Sequence, residues 1–402
     1  MIRHLVLCGL GPGHLKLLEH LARQPTRQHA DIGISLLTRQ RRYISDALLL
    51  KTVGRPSAPD LEDHIDRLAQ AATSQAQALE AMVQKAGVRW IEHNPQQLDP
   101  VTKTLVLDVG RTLRFDWLSI EPEPVQSRDA IDQLLPGARA NGLFMHPREA
   151  FCKLWPQVQA LATKRPLRFA VVLNLNVGLP PSTRQAAATW EQEKFALELV
   201  FALQHAFKGS AVTLITGTAA VGISIQSASP ALQACLQLAL KKRHITVLPD
   251  AACAIAPAEV RLQSGARLAC DVPLLLLLGP RAPHWLTSSG LALNAQGQVL
   301  TDANLRSHSY PSVFVSDCAS SAHPAPTQAR RLLRGLRGVM AGRPPVTAAS
   351  PQVTASPGAP FDATAHAIDP AFSAKNTLHR VNCGDGHSIV AWRQWAFESR
   401  NL

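Results

Sequence analysis

The run Val6-Leu7-Cys8-Gly9-Leu10-Gly11-Pro12-Gly13-His14 constrains this chain more than any other feature. A short apolar stretch, His4 to Cys8, enters a glycine-rich turn and leaves it in a segment with Leu15, Leu17, Leu18 and Leu21 at helical spacing. The pattern reads as strand, tight turn, helix. Between a parallel strand and a helix, such a turn aims backbone N–H groups and the positive helix end at an anion. The pyrophosphate of a dinucleotide suits that geometry. One match of this kind is weak evidence, because a plain tight turn uses the same residues.

The rest of the chain repeats the alternation. Gly33 to Thr38 reads as a second strand, Leu61 to Lys85 as helix, and Val88 to Glu92 and Thr104 to Leu107 as strands. A second series starts at Arg168. Its strands are the FAVVLNL run, Ser210 to Thr216, His244 to Leu248 and Val272 to Leu278, and its helices are Phe195 to Phe207 and Leu232 to Lys241. Alternating elements of this kind build parallel, doubly wound sheets.

Composition narrows the function classes. The 402 residues suffice for two or three domains, and the leucine run Leu274 to Leu278 is far short of a membrane span. The first apolar run breaks at the glycine turn, before a secretory core could form. Seven scattered cysteines with no C-x-x-C pair and no metal-ligand spacing fit a reducing cytoplasm and predict no metal site. The net charge of +12 could attract anions, but basic and aromatic residues are not interleaved and only two tyrosines occur, which argues against nucleic acid. The densest basic cluster, Arg330, Arg331, Arg334 and Arg337, has the spacing of a solvated helix.

Taken in order, the segments GLGPGHLKLL, YISDALLLKTVGRPSAPDLEDHIDRLA, FDWLSIEPEP, GPRAPHWLTSSGLALNAQGQVLTDANLRSHSYPSVFVSDCA and GDGHSIVAW resemble a known family. It is that of the two-dinucleotide-domain, FAD-dependent pyridine nucleotide oxidoreductases. The branch nearest in pattern holds type II NADH dehydrogenases and selenophosphate-synthetase-linked FAD oxidoreductases. The resemblance implies an α/β fold of two Rossmann-like, three-layer domains, the second inserted into the first. Residues 1–122 and 288–345 would form the FAD-binding-like domain and 123–287 the NAD(P)-binding-like one. A Pro/Ala/Ser-rich linker at 346–370 would lead to a C-terminal segment, 371–402, packed on the flavin domain.

The same resemblance implies FAD as cofactor, NAD(P)H as donor and an acceptor such as a quinone. It places Gly9, Gly11, Gly13 and His14 at the pyrophosphate, Thr38 and Arg39 at the ribose end of the second strand, and Asp317 with Cys318 at the flavin. Homo-oligomer formation and peripheral contact with the inner face of a membrane are left open, and no side chain announces itself as acid, base or nucleophile.

Several residues depart from that pattern. The second strand ends Leu37-Thr38-Arg39 where an acid would hold a ribose, and Arg39, Arg41 and Arg42 leave open a 2′-phosphate and hence NADP. Ile120-Glu121-Pro122-Glu123 stands where relatives carry a small turn, placing an acid near the dinucleotide, and Ser316 stands for a glycine. The second series has one lone glycine, Gly178, and two prolines where NADH would need a glycine turn. Three readings follow: an FAD-dependent oxidoreductase of the NAD(P)H:quinone class, a catalytically silent relative that acts as a binding or assembly partner, or, on Arg39, Arg41 and Arg42, an NADP-binding protein without flavin.

Overall fold

The computed structural model describes residues 3–23, 32–39, 43–55, 77–121, 131–133, 135–173, 190–217, 230–276, 283–293, 299–302, 304–316, 325–340, 378–392 and 394–400. The chain opens with β1 (Arg3–Cys8), helix α1 (Pro12–Arg23), β2 (Ile32–Leu37), helix α2 (Asp46–Val53) and β3 (Arg89–Ile91). A small meander, β4 (Pro95–Asp99), β5 (Thr104–Leu107) and β6 (Thr112–Arg114), precedes β7 (Trp117–Ile120). The second half holds β8 (Leu143–Phe144), β9 (Arg168–Val172), β10 (Ala211–Ile215) and β11 (Thr246–Leu248). A second meander, β12 (Ala252–Ala256), β13 (Glu259–Leu262) and β14 (Arg267–Ala269), is followed by β15 (Val272–Leu275) and β16 (Val313–Val315). The last three strands are β17 (Leu378–Asn382), β18 (His387–Trp392) and β19 (Trp395–Arg400).

Two five-stranded parallel sheets carry the architecture, ordered β16-β7-β1-β2-β3 and β11-β10-β9-β15-β8. Their central strands are apolar on both faces, which parallel sheets covered on both sides require. In β1, Leu5 and Leu7 face α1 and the helix Ala325–Met340, meeting Leu17, Leu18, Leu332 and Leu336. Val6 and Cys8 face the β4–β6 meander through Leu98, Leu105 and Leu107. The second sheet repeats this plan. Phe169 and Val171 pack on the helices Arg148–Lys164, Trp190–Ala206 and Pro230–Lys242, while Ala170 and Val172 meet the β12–β14 meander. The α/β, three-layer expectation therefore holds for both units. Of the helix expected from Leu61 to Lys85, residues 77–85 are described and helical, and the linker at 346–370 lies outside the described residues.

The C-terminal strands differ from expectation. Sheet β17-β18-β19 packs on the helices Trp190–Ala206 and Pro230–Lys242 of the second unit, with Val381, Cys383, Ile389 and Ala391 in their core. The aromatic residues Trp392, Trp395 and Phe397 stay exposed on its other face. Strand alternation puts Ala391 and Ala396 in the row that lies on the helices and Trp392 and Trp395 in the opposite row. Arg243 locks the contact, bonding Asp385 at 2.7 Å and also Glu398, with its guanidinium 5.4 Å from the Phe201 ring.

Candidate functional site: the first glycine turn

Strand β1 is flanked by β2 and β7, so the connections diverge at its C-terminal end, and a crevice for ligands belongs there. The parallel register pairs Cys8 with Ile120 and leaves Glu121 as the first residue beyond β7, directly beside the turn. Glu121 N–H donates to the Cys8 carbonyl at 2.8 Å, and Gly9 N–H to the Leu37 carbonyl at 2.9 Å.

The glycines are close-approach positions. Gly9 has φ +90°, and a Cβ there would lie 2.0 Å from the backbone oxygen of Glu121. At Gly11 and Gly13 a Cβ would lie 2.6 Å and 2.5 Å from the carboxylate oxygens of the same residue. All three glycines of the turn therefore make room for Glu121.

The reason is the start of α1. Pro12 opens the helix without needing an N–H partner, but the next two amides need acceptors. Gly11 has no side chain to cap them, and the first turn carries no acid. Glu121 supplies the cap from outside: Gly13 N–H donates to Oε1 and His14 N–H to Oε2, both at 2.8 Å. Glu121 is 6% exposed, and its carboxylate sits at the positive end of the helix, where a negative charge is favoured.

His14 is fully buried. Its Nδ1 is 2.8 Å from the Gly9 carbonyl, which can only accept, so Nδ1 carries the hydrogen. Nε2 then accepts from the Ser119 hydroxyl at 2.8 Å. His14 is thus a brace across the turn, with both ring nitrogens engaged by the protein.

A dinucleotide pyrophosphate at this turn needs the donors and the space that Glu121 holds. A phosphate oxygen about 4 Å from the carboxylate would meet roughly 4 kcal/mol of like-charge repulsion at an effective dielectric near 20. The diphosphate of FAD does not fit the turn as folded.

The other expected site residues are dispersed. Thr38 is buried, and its carbonyl accepts from the Trp90 indole at 3.2 Å; Arg39 is exposed. Ser316 is buried and its N–H donates to the Ile120 carbonyl at 3.0 Å, continuing the β16–β7 ladder. Asp317, Cys318, Arg41, Arg42, Pro122 and Glu123 lie outside the described residues, as does the segment after β9 where a second turn was sought. What sequence reasoning missed is the partner of Glu121. The signal was an acid at the first position after β7.

Two further groupings complete the picture. Burial pushes the thiols of Cys270 and Cys383 up to about 12 and that of Cys152 up to about 11, so these cysteines are poor nucleophiles at neutral pH. Asp385, His387 and Glu398 have ligand-type atoms within 4.8 Å of one another. Both carboxylates already accept from Arg243, and the cluster is an ion-pair network.

No family model matches the sequence, and no curated protein matches it. Among solved structures, the chain is similar to the sulfide:quinone oxidoreductase of Aquifex aeolicus at 14% identity and a TM-score of 0.64, over 99% of this chain and 86% of that one. It is similar to a ferredoxin reductase of Rhodopseudomonas palustris at 13% identity and a TM-score of 0.61, over 96% and 81%. A third similarity is to RclA, a flavoprotein disulfide reductase of Escherichia coli, at 12% identity and a TM-score of 0.59, over 98% and 78%. The shared property is the fold, an α/β arrangement of two Rossmann-like units. No helix among the described residues is long and apolar enough to cross a membrane.

Proposed function

We propose that this chain is a catalytically silent relative of the flavin-linked oxidoreductases, a binding or assembly protein that keeps their fold without holding a flavin at its first turn. The observation that carries this reading is the Glu121 carboxylate on the amides of Gly13 and His14. A fold hosts many functions, and function has to be argued from the site. Here the retained glycines are explained by an internal acid, and the raised thiols offer no dithiol relay.

The second reading is an FAD-dependent oxidoreductase of the NAD(P)H:quinone class, related in pattern to type II NADH dehydrogenases. It is favoured by a fold shared along nearly the whole chain with a sulfide:quinone oxidoreductase. It requires the Glu121 side chain to leave the turn.

An absorbance spectrum of the purified protein, with and without added FAD, separates the two. The silent reading expects no bands near ~370 and ~450 nm and no uptake of FAD. Retained flavin that bleaches with NADH or NADPH and passes electrons to a quinone overturns it.

A further inference from the structure

We propose that Glu121 is a resident substitute for a diphosphate, and that its side chain alone closes an otherwise formed anion-binding turn. This deepens the silent reading above and rests on it. The carboxylate makes the contacts a phosphate oxyanion would make: two oxygens on two consecutive helix N-terminal amides, each at 2.8 Å.

The turn itself is held by other groups. Gly9 N–H bonds the Leu37 carbonyl, Leu15 N–H the Gly11 carbonyl, and the Glu121 backbone N–H the Cys8 carbonyl. His14 ties Gly9 to Ser119 through its two ring nitrogens. Leu17, Leu18 and Leu21 anchor α1 in the core. Of these groups only the His14 ring also meets the Glu121 carboxylate, its Nδ1 lying 3.5 Å from Oε2. Shortening that side chain therefore frees two amides and the space beside the Gly11 and Gly13 α-carbons while the backbone frame stays in place. The ligand chemistry that fits the freed site is a phosphate oxyanion. The position, at the divergence of β2 and β7 from β1, favours the diphosphate of an adenine nucleotide.

The test compares the native chain with Glu121→Ala by calorimetric titration and thermal midpoint, using inorganic phosphate, pyrophosphate and ADP as probes. The expected result is ADP and pyrophosphate binding to E121A at least about tenfold tighter than to the native chain, with a midpoint that climbs with ligand only in the variant. A folded E121A that ignores all three probes overturns closure by Glu121 and leaves the silent reading standing. Binding of phosphate without ADP overturns the diphosphate assignment. Native protein that binds ADP as tightly as E121A overturns the closure, and native protein that takes up FAD overturns the silent reading with it. Should E121A fail to fold, Glu121→Gln keeps the length and removes the charge. It isolates the charge alone: loss of the two carboxylate contacts is expected to lower its thermal midpoint. Glu121→Ser, which empties the same space, is expected to bind pyrophosphate more tightly than the native chain, and equal or weaker binding in Glu121→Ser overturns the proposal.

Discussion

At the scale of single residues, the three glycines of the first turn are not equivalent, and the difference is measurable. The three atoms nearest a Cβ at Gly11 would all belong to the Glu121 side chain, at 2.6 Å and beyond, whereas a Cβ at Gly9 would meet the Glu121 backbone oxygen at 2.0 Å. Gly11→Ala should cost about 1–3 kcal/mol in urea denaturation, much of it recovered in the Glu121→Ala background, with a coupling of roughly 1 kcal/mol or more. Gly9→Ala should cost as much or more in both backgrounds, because no side-chain truncation moves a backbone carbonyl and φ is positive. Glu121→Ala by itself should cost about 1–3 kcal/mol, since it orphans two buried amides. A Gly11 penalty unchanged by E121A would show that the carboxylate is not what crowds the turn. The glycines were legible in the sequence as a turn, because a missing side chain is a local fact. What fills the space was not, because Glu121 lies 108 residues from Gly13 and reaches it only through the β1–β7 register.

At the scale of elements, the C-terminal sheet shows where periodicity stops informing. The resemblance implied only that the C-terminal segment packs on the flavin domain; the strand pairing sorts its residues into two rows. Alternation does not say which row is buried, and here the small-residue row is, leaving Trp395 66% exposed. The sheet is fastened by charge as well as by that buried row. The Asn382 N–H donates to Glu198 at 2.9 Å, and Arg243, 11% exposed at its side chain, serves Asp385 and Glu398 together. Burial pulls both carboxylates upward, but the hydrogen bonds and charge of Arg243 outweigh it and leave both below their ordinary values. Removing the cation strands two acids beside each other. Arg243→Ala should therefore cost about 2–4 kcal/mol and expose the strands 378–400 to limited proteolysis ahead of the rest of the chain. For the native protein, the two depressed carboxylates contribute stability that is complete above their unfolded values, near 4, and fades as the pH falls below that. In R243A this acid sensitivity should shrink. A variant as stable and as protease-resistant as the native chain would remove Arg243 from the account.

At the scale of the whole molecule, the two parallel sheets were legible in their central strands, which are short and apolar on both faces, whereas Thr104–Leu107, read with them, lies instead in the antiparallel β4–β6 meander. The seam between the units was not legible, because it joins residues far apart in the chain: Leu49 and Val53 of α2 are buried in the core of the second unit, and polar side chains bridge beside them. Arg148, at the start of the helix Arg148–Lys164, reaches across to the Ile44 carbonyl and to Asp46 on α2, and Gln159 donates to the Arg55 carbonyl at 3.2 Å. His146 sits just before that helix. Burial, reinforced by the positive charge of Arg148, holds its pKa down to about 4 from an ordinary value of 6.5. Between those two values the unfolded chain binds a proton that the folded chain refuses. Stability must therefore climb as the pH rises from about 4 to about 6.5 and gain nothing more from this group above that. The step should amount to roughly 1–3 kcal/mol, with allowance for partial solvent screening. His146→Gln should flatten the stability profile within that window while leaving the steeper loss below about pH 4, which the arginine-paired carboxylates Asp271, Asp385 and Glu398 produce, in place. Urea midpoints at pH 4.5, 5.5 and 7 decide it. A native profile already flat across those three points would mean that His146 takes up its proton in the fold and that the seam is open to water.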